Sequence, residues 1–170
     1  MALILSGDTG VPASGMPTGS VIQTVSTNKS DTFTSSAQSF SDITGLSVSI
    51  TPTSATSKIL VILDMVGSGV FNSNIAQFRI VRDSTVIDAG NAAGGRSLGI
   101  ASTITSNNVS PINIGANFLD SPATTSPLTY KVQCRTSAGV TLYVNLAPDD
   151  SDDINRIRTA STITVMEIKG

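Results

Sequence analysis

Apolar and polar residues alternate with a period of two in short segments along most of the chain from residue 20 onward. In the segments AQFRI (residues 76–80) and LTYKVQCR (residues 128–135), every second side chain is apolar and the others are polar or charged. This period places alternate side chains on opposite faces of a β-strand, whereas no stretch keeps the period of a helix. The pattern predicts strands near residues 20–26, 31–34, 39–50, 57–66, 74–82, 97–106, 111–119, 128–136, 139–146 and 160–169.

Turn-forming residues separate the predicted strands. Pro52, Pro148 and the glycines of the segments 67–69 and 94–95 lie between strands, where such residues end regular pairing. About 8–10 short strands joined in this way are typical of an all-β protein. We therefore predict an antiparallel β-sandwich that is similar to a jelly roll.

The first 19 residues differ from the rest of the chain. Glycine and proline recur there every two or three residues, a spacing that prevents both a helix and a regular strand. The sequence thus predicts an irregular N-terminal arm over residues 1–19 and one sandwich domain over residues 20–170. We expect the arm to lie against another subunit or a neighbouring protein.

Two predicted strands, 59–66 and 162–168, are apolar on both faces. A strand of this kind is either central in a sandwich or covered by another subunit. Because the chain has only five Phe and two Tyr, its own core is modest, and these observations together predict a homo-oligomer. The predicted subunit contacts are the apolar side chains of the two strands: Ile59, Val61, Leu63, Met65, Ile163, Val165, Met166 and Ile168.

The composition of the chain argues against several classes of protein. The chain has 170 residues, a net charge of −2 and 13% charged residues, and Ser and Thr make up more than a quarter of it. Intrinsic disorder requires higher charge and lower hydrophobicity than this, so we expect a folded protein. The 10 Lys and Arg residues are scattered, which argues against nucleic acid as a partner.

An acidic cluster, Asp149, Asp150, Asp152 and Asp153, is the sharpest local feature of the sequence. Spaced carboxylates can bind a hard cation such as calcium, but the run lacks the glycine and terminal glutamate of an EF-hand loop. The alternative is a solvated hairpin loop whose charge is offset by Arg156 and Arg158. We expect that alternative, and no metal or other cofactor.

Catalysis is not expected either. The chain contains no His, which is the commonest general base, and the glycines around Ser68 lack the spacing of a nucleophile elbow. The segment 94–99 is rich in glycine but lacks the lysine of a phosphate-binding loop. A single cysteine, Cys134, cannot form an intrachain disulfide. These features predict a protein that is not an enzyme.

The sequence shows no targeting or membrane-spanning segment. Its N-terminus has no positively charged region of the kind that precedes a signal peptide, and its longest apolar run, Ile59–Leu63, is far shorter than a membrane span. We therefore expect a soluble protein without a membrane partner.

Several segments resemble small virion proteins of tailed bacteriophages, especially tail-fibre and capsid decoration proteins. They are MALILSGDTGV, GMPTGSVIQTV, SFSDITGLSVSITPTSATSKILV, FRIVRDSTVI, SPLTYKVQCRT, TLYVNL and the ending STITVMEIKG. The order of strands is also similar to the trimeric jelly roll of complement globular heads and tumour necrosis factor relatives. The poverty of aromatic residues departs from that group, which usually places them at the trimer axis.

The resemblance implies a homotrimeric virion protein that is assembled in the host cytoplasm. The first hypothesis is a capsid decoration (cement) protein that binds the major capsid protein or other virion proteins through residues 1–19. A second is a tail-fibre or receptor-binding tip whose loops contact the host surface. The third is a lectin-like binding module without a virion.

Overall fold

The computed structural model describes residues 12–68, 75–103 and 112–170. These ranges contain one 3-10 turn, Ala13–Gly15, and eleven β-strands. The strands are β1 (Val21–Lys29), β2 (Phe33–Ser35), β3 (Ser41–Ile50), β4 (Lys58–Ser68), β5 (Ala76–Arg82), β6 (Thr85–Ile87), β7 (Ala101–Thr103), β8 (Ile112–Asp120), β9 (Leu128–Thr136), β10 (Leu142–Val144) and β11 (Ser161–Ile168). Within the described ranges, no helix has the length and apolar composition needed to cross a bilayer.

The strands form two antiparallel sheets. In the six-stranded sheet the order is β1-β11-β4-β10-β2, and β8 pairs with β4. Because Ile62 of β4 pairs with Thr164 of β11 and also with Asn117 of β8, these two strands lie on opposite sides of β4. The five-stranded sheet has the order β3-β9-β5-β6, with β7 also paired to β5. The predicted antiparallel β-sandwich is confirmed.

The core lies between the two sheets and follows directly from the period-two pattern. In β9, Leu128, Tyr130, Val132 and Cys134 are buried and their neighbours are partly exposed. On the facing sheet the alternate side chains of β4 and β11 are enclosed in the same cluster. Burial of these core side chains contributes about 25 cal/mol per Å² of apolar surface and is the main stabilising contribution to the sandwich.

Each of the ten predicted strands overlaps one observed strand, and β6 was not predicted. It is a three-residue strand that returns on β5 through the turn at Asp83, whose φ is 53°. No alternation continues beyond its three residues, so the segment shows no periodic signal. The predicted segments 97–106 and 111–119 lie partly outside the described residues.

One predicted turn is corrected. Gly67 and Ser68 continue β4, and the backbone of Gly67 pairs with Ile112 of β8 and with Val144 of β10. Gly67 therefore lies within the sheet, next to Ile114. Gly69 lies outside the described residues.

Candidate functional site: the outer face of the six-stranded sheet

The outer face of the six-stranded sheet carries a continuous group of apolar side chains. Leu60 at its centre pairs with Met166 on one side and with Leu119 on the other, and Ile62 lies in the next row. Leu119 is 46% exposed and Ile62 is 36% exposed, so these side chains contact solvent in the single chain. We call this group the apolar outer patch and define it as Val21, Leu60, Ile62, Leu119, Met166 and Ile168.

Uncharged side chains surround the apolar outer patch. The neighbouring outer positions of β1 and β11 are Thr, Ser and Asn, and those of β8 are Asn and Gly. Charges on β4 flank the patch at Lys58 and Asp64, and the Asp64 carboxylate accepts a hydrogen bond from Asn113. An exposed apolar area with a polar rim and few charges is typical of a protein interface.

The structure divides the predicted subunit contacts between the core and the apolar outer patch. Six of the eight predicted contacts are enclosed in the core of the single chain and are not free to contact a neighbour: Ile59, Val61, Leu63, Met65, Ile163 and Val165. Met166 and Ile168 lie on the opposite face of β11 and belong to the apolar outer patch. Both faces of these strands are apolar, so the pattern could not show which face the second sheet covers.

Part of the predicted N-terminal arm is tied to the end of β11. The Gly19 amide donates to the Lys169 carbonyl at 2.8 Å, and the Lys169 amide donates to the Ser20 carbonyl at 2.9 Å. The Lys169 ammonium also donates to the carbonyl oxygens of Ser14 and Met16. Residues 12–20 thus leave the sandwich beside the apolar outer patch, while residues 1–11 lie outside the described ranges.

The acidic loop is paired with arginines. The Arg156 guanidinium lies 2.9 Å from an Asp149 oxygen, and Arg158 donates to both oxygens of Asp150. The hydrogen bond from Arg156 lowers the pKa of Asp149. The Asp153 carboxylate accepts bonds from the backbone and side-chain nitrogens of Asn155 at 2.7 and 2.8 Å. Over the described part of the chain, no group of three or more His, Cys, Asp or Glu side chains is placed to hold a metal ion.

Sequence reasoning missed a buried carboxylate at the end of β11. Glu167 is fully buried, and its Oε1 accepts hydrogen bonds from the Thr53 amide and hydroxyl, both at 2.7 Å. Its Oε2 accepts a bond from Gln23 Nε2 at 2.6 Å. Burial by itself raises the pKa of Glu167, but the hydrogen bonds outweigh it and the pKa lies below its ordinary value.

We expect the Glu167→Gln variant to be less stable than the wild type by about 1–3 kcal/mol at pH 7, because an amide cannot accept all three bonds. Since the folded pKa is lowered, the stabilisation is complete above the ordinary value of 4.5 and is lost as the pH falls through the folded pKa. Urea unfolding of both proteins from pH 7 to pH 3 measures this. A difference that stays constant over the whole range would contradict the assignment.

A second missed carboxylate joins the two sheets. Asp120 at the end of β8 is 6% exposed and accepts a hydrogen bond from the buried Tyr130 hydroxyl at 2.7 Å. Arg82 Nη1 donates to both Asp120 oxygens, at 2.6 and 2.5 Å. Burial raises the pKa of Tyr130, with the Asp120 carboxylate adding to the effect. These contacts hold β8 of one sheet against β5 and β9 of the other.

A third polar network links the segment that connects β1 to β2 with the segment that connects β10 to β11. Asn145 is fully buried with a φ of 63°, and its side-chain nitrogen donates to the carbonyls of Lys29 and Asp31 at 2.8 and 2.9 Å. The Ser161 hydroxyl donates to Asn145 Oδ1 at 2.6 Å. The buried Lys29 ammonium lies 2.9 Å from an Asp31 oxygen. The network therefore holds these two connecting segments together.

Comparisons with known proteins concern structure alone. No family model and no curated protein matches the sequence. The structure is similar to a chain of infectious bursal disease virus, Gt strain, with a TM-score of 0.47 and 16% identity over 99% of this chain and 47% of that chain. It is also similar to a chain of the T13 particle of that virus (TM-score 0.44, 12% identity, 99% and 40% covered). A third likeness is to the VP2 subviral particle of infectious bursal disease virus (TM-score 0.41, 12% identity, 99% and 42% covered).

The chain spans less than half of the length of each of these solved chains. Likenesses at this level say nothing about what the chain binds. The resemblances to bacteriophage proteins and to the tumour necrosis factor fold stay predictions. What the structure itself contributes is an exposed apolar face on a rigid sandwich, with an anchored N-terminal segment beside it.

Proposed function

We propose that the protein is a non-enzymatic structural component of a bacteriophage virion, a homotrimer that decorates and stabilises the capsid. The observation that carries the proposal is the apolar outer patch, whose rows of Leu, Ile and Met face solvent in the single chain. A second copy that covers the patch removes this surface from water, and closed symmetry leaves none of it free. The resemblance of the sequence to bacteriophage virion proteins supports the proposed location in a virion.

The anchored segment supports a role for the N-terminal arm. Because residues 12–20 are held by Lys169, the chain that precedes them starts from a defined point of the sandwich. We propose that residues 1–19 bind the major capsid protein or another virion protein. Three arms on one trimer would act together through their effective concentration.

The alternative is a tail-fibre or receptor-binding tip. The loop 147–153 supports it, because its charged side chains project from the sandwich between β10 and β11. The loop 90–96 is also exposed over most of its length. In that arrangement the arm would join a shaft or baseplate.

Lysine substitutions in the apolar outer patch are expected to dissociate the oligomer. In Ile62→Lys combined with Leu119→Lys, the added charges would be desolvated at the interface, and we expect association to weaken about thirtyfold or more. Sedimentation velocity over a concentration series measures the change. The matched control is Thr44→Lys, an exposed position on the outer face of the other sheet. An oligomer of unchanged affinity in the double variant would contradict the interface.

The virion role is tested by locating the chain. Electron microscopy of purified particles is expected to show it on the capsid in hundreds of copies, whereas a few dozen copies at the tail would favour the alternative. Deletion of residues 1–19 is expected to abolish attachment to particles. A deleted protein that still decorates particles at full occupancy would refute the proposed role of the arm.

A further inference from the structure

Two arginines flank one aromatic ring on the outer face of the five-stranded sheet. The Arg79 guanidinium carbon lies 4.0 Å from the centroid of the Phe40 ring, and that of Arg135 lies 5.9 Å from it. The two arginines project from adjacent strands, since Arg79 pairs with Gln133 and Arg135 pairs with Gln77. The ring attracts both cations and favours their position on this face.

Each guanidinium is oriented by a contact that uses only one of its nitrogens. Arg79 Nε donates to Gln133 Oε1 at 2.8 Å, and Arg135 Nη1 donates to Ser97 Oγ at 3.1 Å. Within the described residues, the remaining nitrogens of these two side chains donate no hydrogen bond. A planar fork with free donors is the geometry that binds a carboxylate with two parallel bonds.

The charges on this face are not balanced by the chain itself. The outer positions of β3, β5 and β9 carry three cations, Arg79, Lys131 and Arg135, and one carboxylate, Asp42. That carboxylate is already engaged, because Lys131 and Gln133 donate to its two oxygens at 2.7 and 2.6 Å. Two positive charges therefore remain on this face of a protein whose net charge is −2.

A cavity of mixed polarity opens beside Arg135. Its volume is about 270 Å³, and it is lined by Gln77, Ser97 and Ser102 together with the less polar Leu98, Gly99, Ile100 and Ala101. Gln77 is the strand partner of Arg135, and Ser97 accepts the hydrogen bond from that arginine. The Ile100 amide donates to the Phe78 carbonyl at 2.9 Å and fixes the cavity wall to β5. A cavity of this size suits a ligand smaller than a drug molecule, such as one sugar ring.

From this geometry we propose that the face defined by Arg79, Arg135, Gln77, Ser97 and Ser102 binds an acidic monosaccharide of a glycan. The sugar carboxylate binds the free nitrogens of Arg135 beside the cavity, Arg79 adds a second positive charge, and the ring hydroxyls meet the serine hydroxyls and the Gln77 amide. The site does not depend on the virion role, since its residues lie on or beside the five-stranded sheet, on the side of the sandwich opposite the apolar outer patch.

The test is calorimetric titration of the full-length protein with glucuronate and with N-acetylneuraminate. We expect saturable binding that weakens as sodium chloride is added, and no binding of neutral glucose. Arg135→Gln is expected to weaken binding about tenfold or more, and Arg79→Gln is expected to weaken it by a smaller factor because it removes charge but no direct bond. Lys58→Gln, which changes an exposed cation on β4 of the other sheet, is the matched control and should bind as the wild type does.

A conservative variant guards against loss of folding. Arg135→Lys keeps the charge but removes the fork, and we expect it to weaken binding while the circular dichroism spectrum stays unchanged. The proposal is overturned if neither acidic sugar binds, or if binding survives both glutamine substitutions. It is also overturned if sulfate binds as tightly as the sugars and Ser97→Ala together with Ser102→Ala has no effect.

Discussion

Replacing Asp120 with alanine is expected to lower the free energy of unfolding by about 3–5 kcal/mol, one of the two largest effects of any single substitution proposed for this protein. The carboxylate accepts hydrogen bonds from Tyr130 and Arg82, which belong to the opposite sheet. Its removal leaves the fully buried tyrosine hydroxyl without an acceptor and the arginine without its ion-pair partner. Urea unfolding followed by circular dichroism measures the loss.

A second ion pair provides the matched control. Asp42 pairs with Lys131 at 2.7 Å, but its side chain is 47% exposed, so Asp42→Ala is expected to cost less than about 1 kcal/mol. Tyr130→Phe should fall between the two, because it removes one hydrogen bond to a carboxylate and keeps the packing. Equal losses of unfolding free energy for Asp120→Ala and Asp42→Ala would show that the contact of Asp120 with the opposite sheet does not stabilise the sandwich.

Asn145→Ala is expected to destabilise the protein by about 3–5 kcal/mol, the second of the two largest effects. The substitution leaves the carbonyls of Lys29 and Asp31 and the hydroxyl of Ser161 without their partner, at a position with no exposed surface. It also places alanine at a φ of 63°, which an L-residue other than Asn, Asp or Gly adopts at a cost of about 1–2 kcal/mol.

Two further variants separate the causes. Asn145→Gly loses the same hydrogen bonds but tolerates the positive φ, so it should be about 1 kcal/mol more stable than Asn145→Ala. Asn91→Ala, at an exposed loop position, should stay within about 0.5 kcal/mol of the wild type. If Asn145→Ala also stays within that margin, the buried network does not hold the β1–β2 connection against the β10–β11 connection.

Strand positions were predictable because the signal is local. The alternation in residues 128–135 is read from eight neighbours, and the observed β9, Leu128–Thr136, follows it residue by residue. The strand β6 was not predicted, because its three residues follow the Asp83 turn directly and no alternation continues beyond them. The predicted pairing of the acidic loop with Arg156 and Arg158 also depended on residues close in sequence.

The buried polar residues were not predictable for the opposite reason. Glu167 finds its partners at Thr53 and Gln23, which are 114 and 144 positions away. Asn145 is 116 positions from Lys29. The type of a single acidic or amide residue does not indicate such a distant partner, which is found only when the strands lie side by side, so the sequence made no prediction for these residues.

By itself, the sequence determined the fold class, the positions of most strands along the chain and the low charge, because each depends on residue type and short-range periodicity. Only the tertiary structure decided which face of β4 and β11 is inside, since both faces are apolar and the choice belongs to the second sheet. That choice encloses Ile59 and Ile163 and leaves Leu60, Ile62 and Met166 at the surface. It therefore decides which residues of this protein are available to a partner.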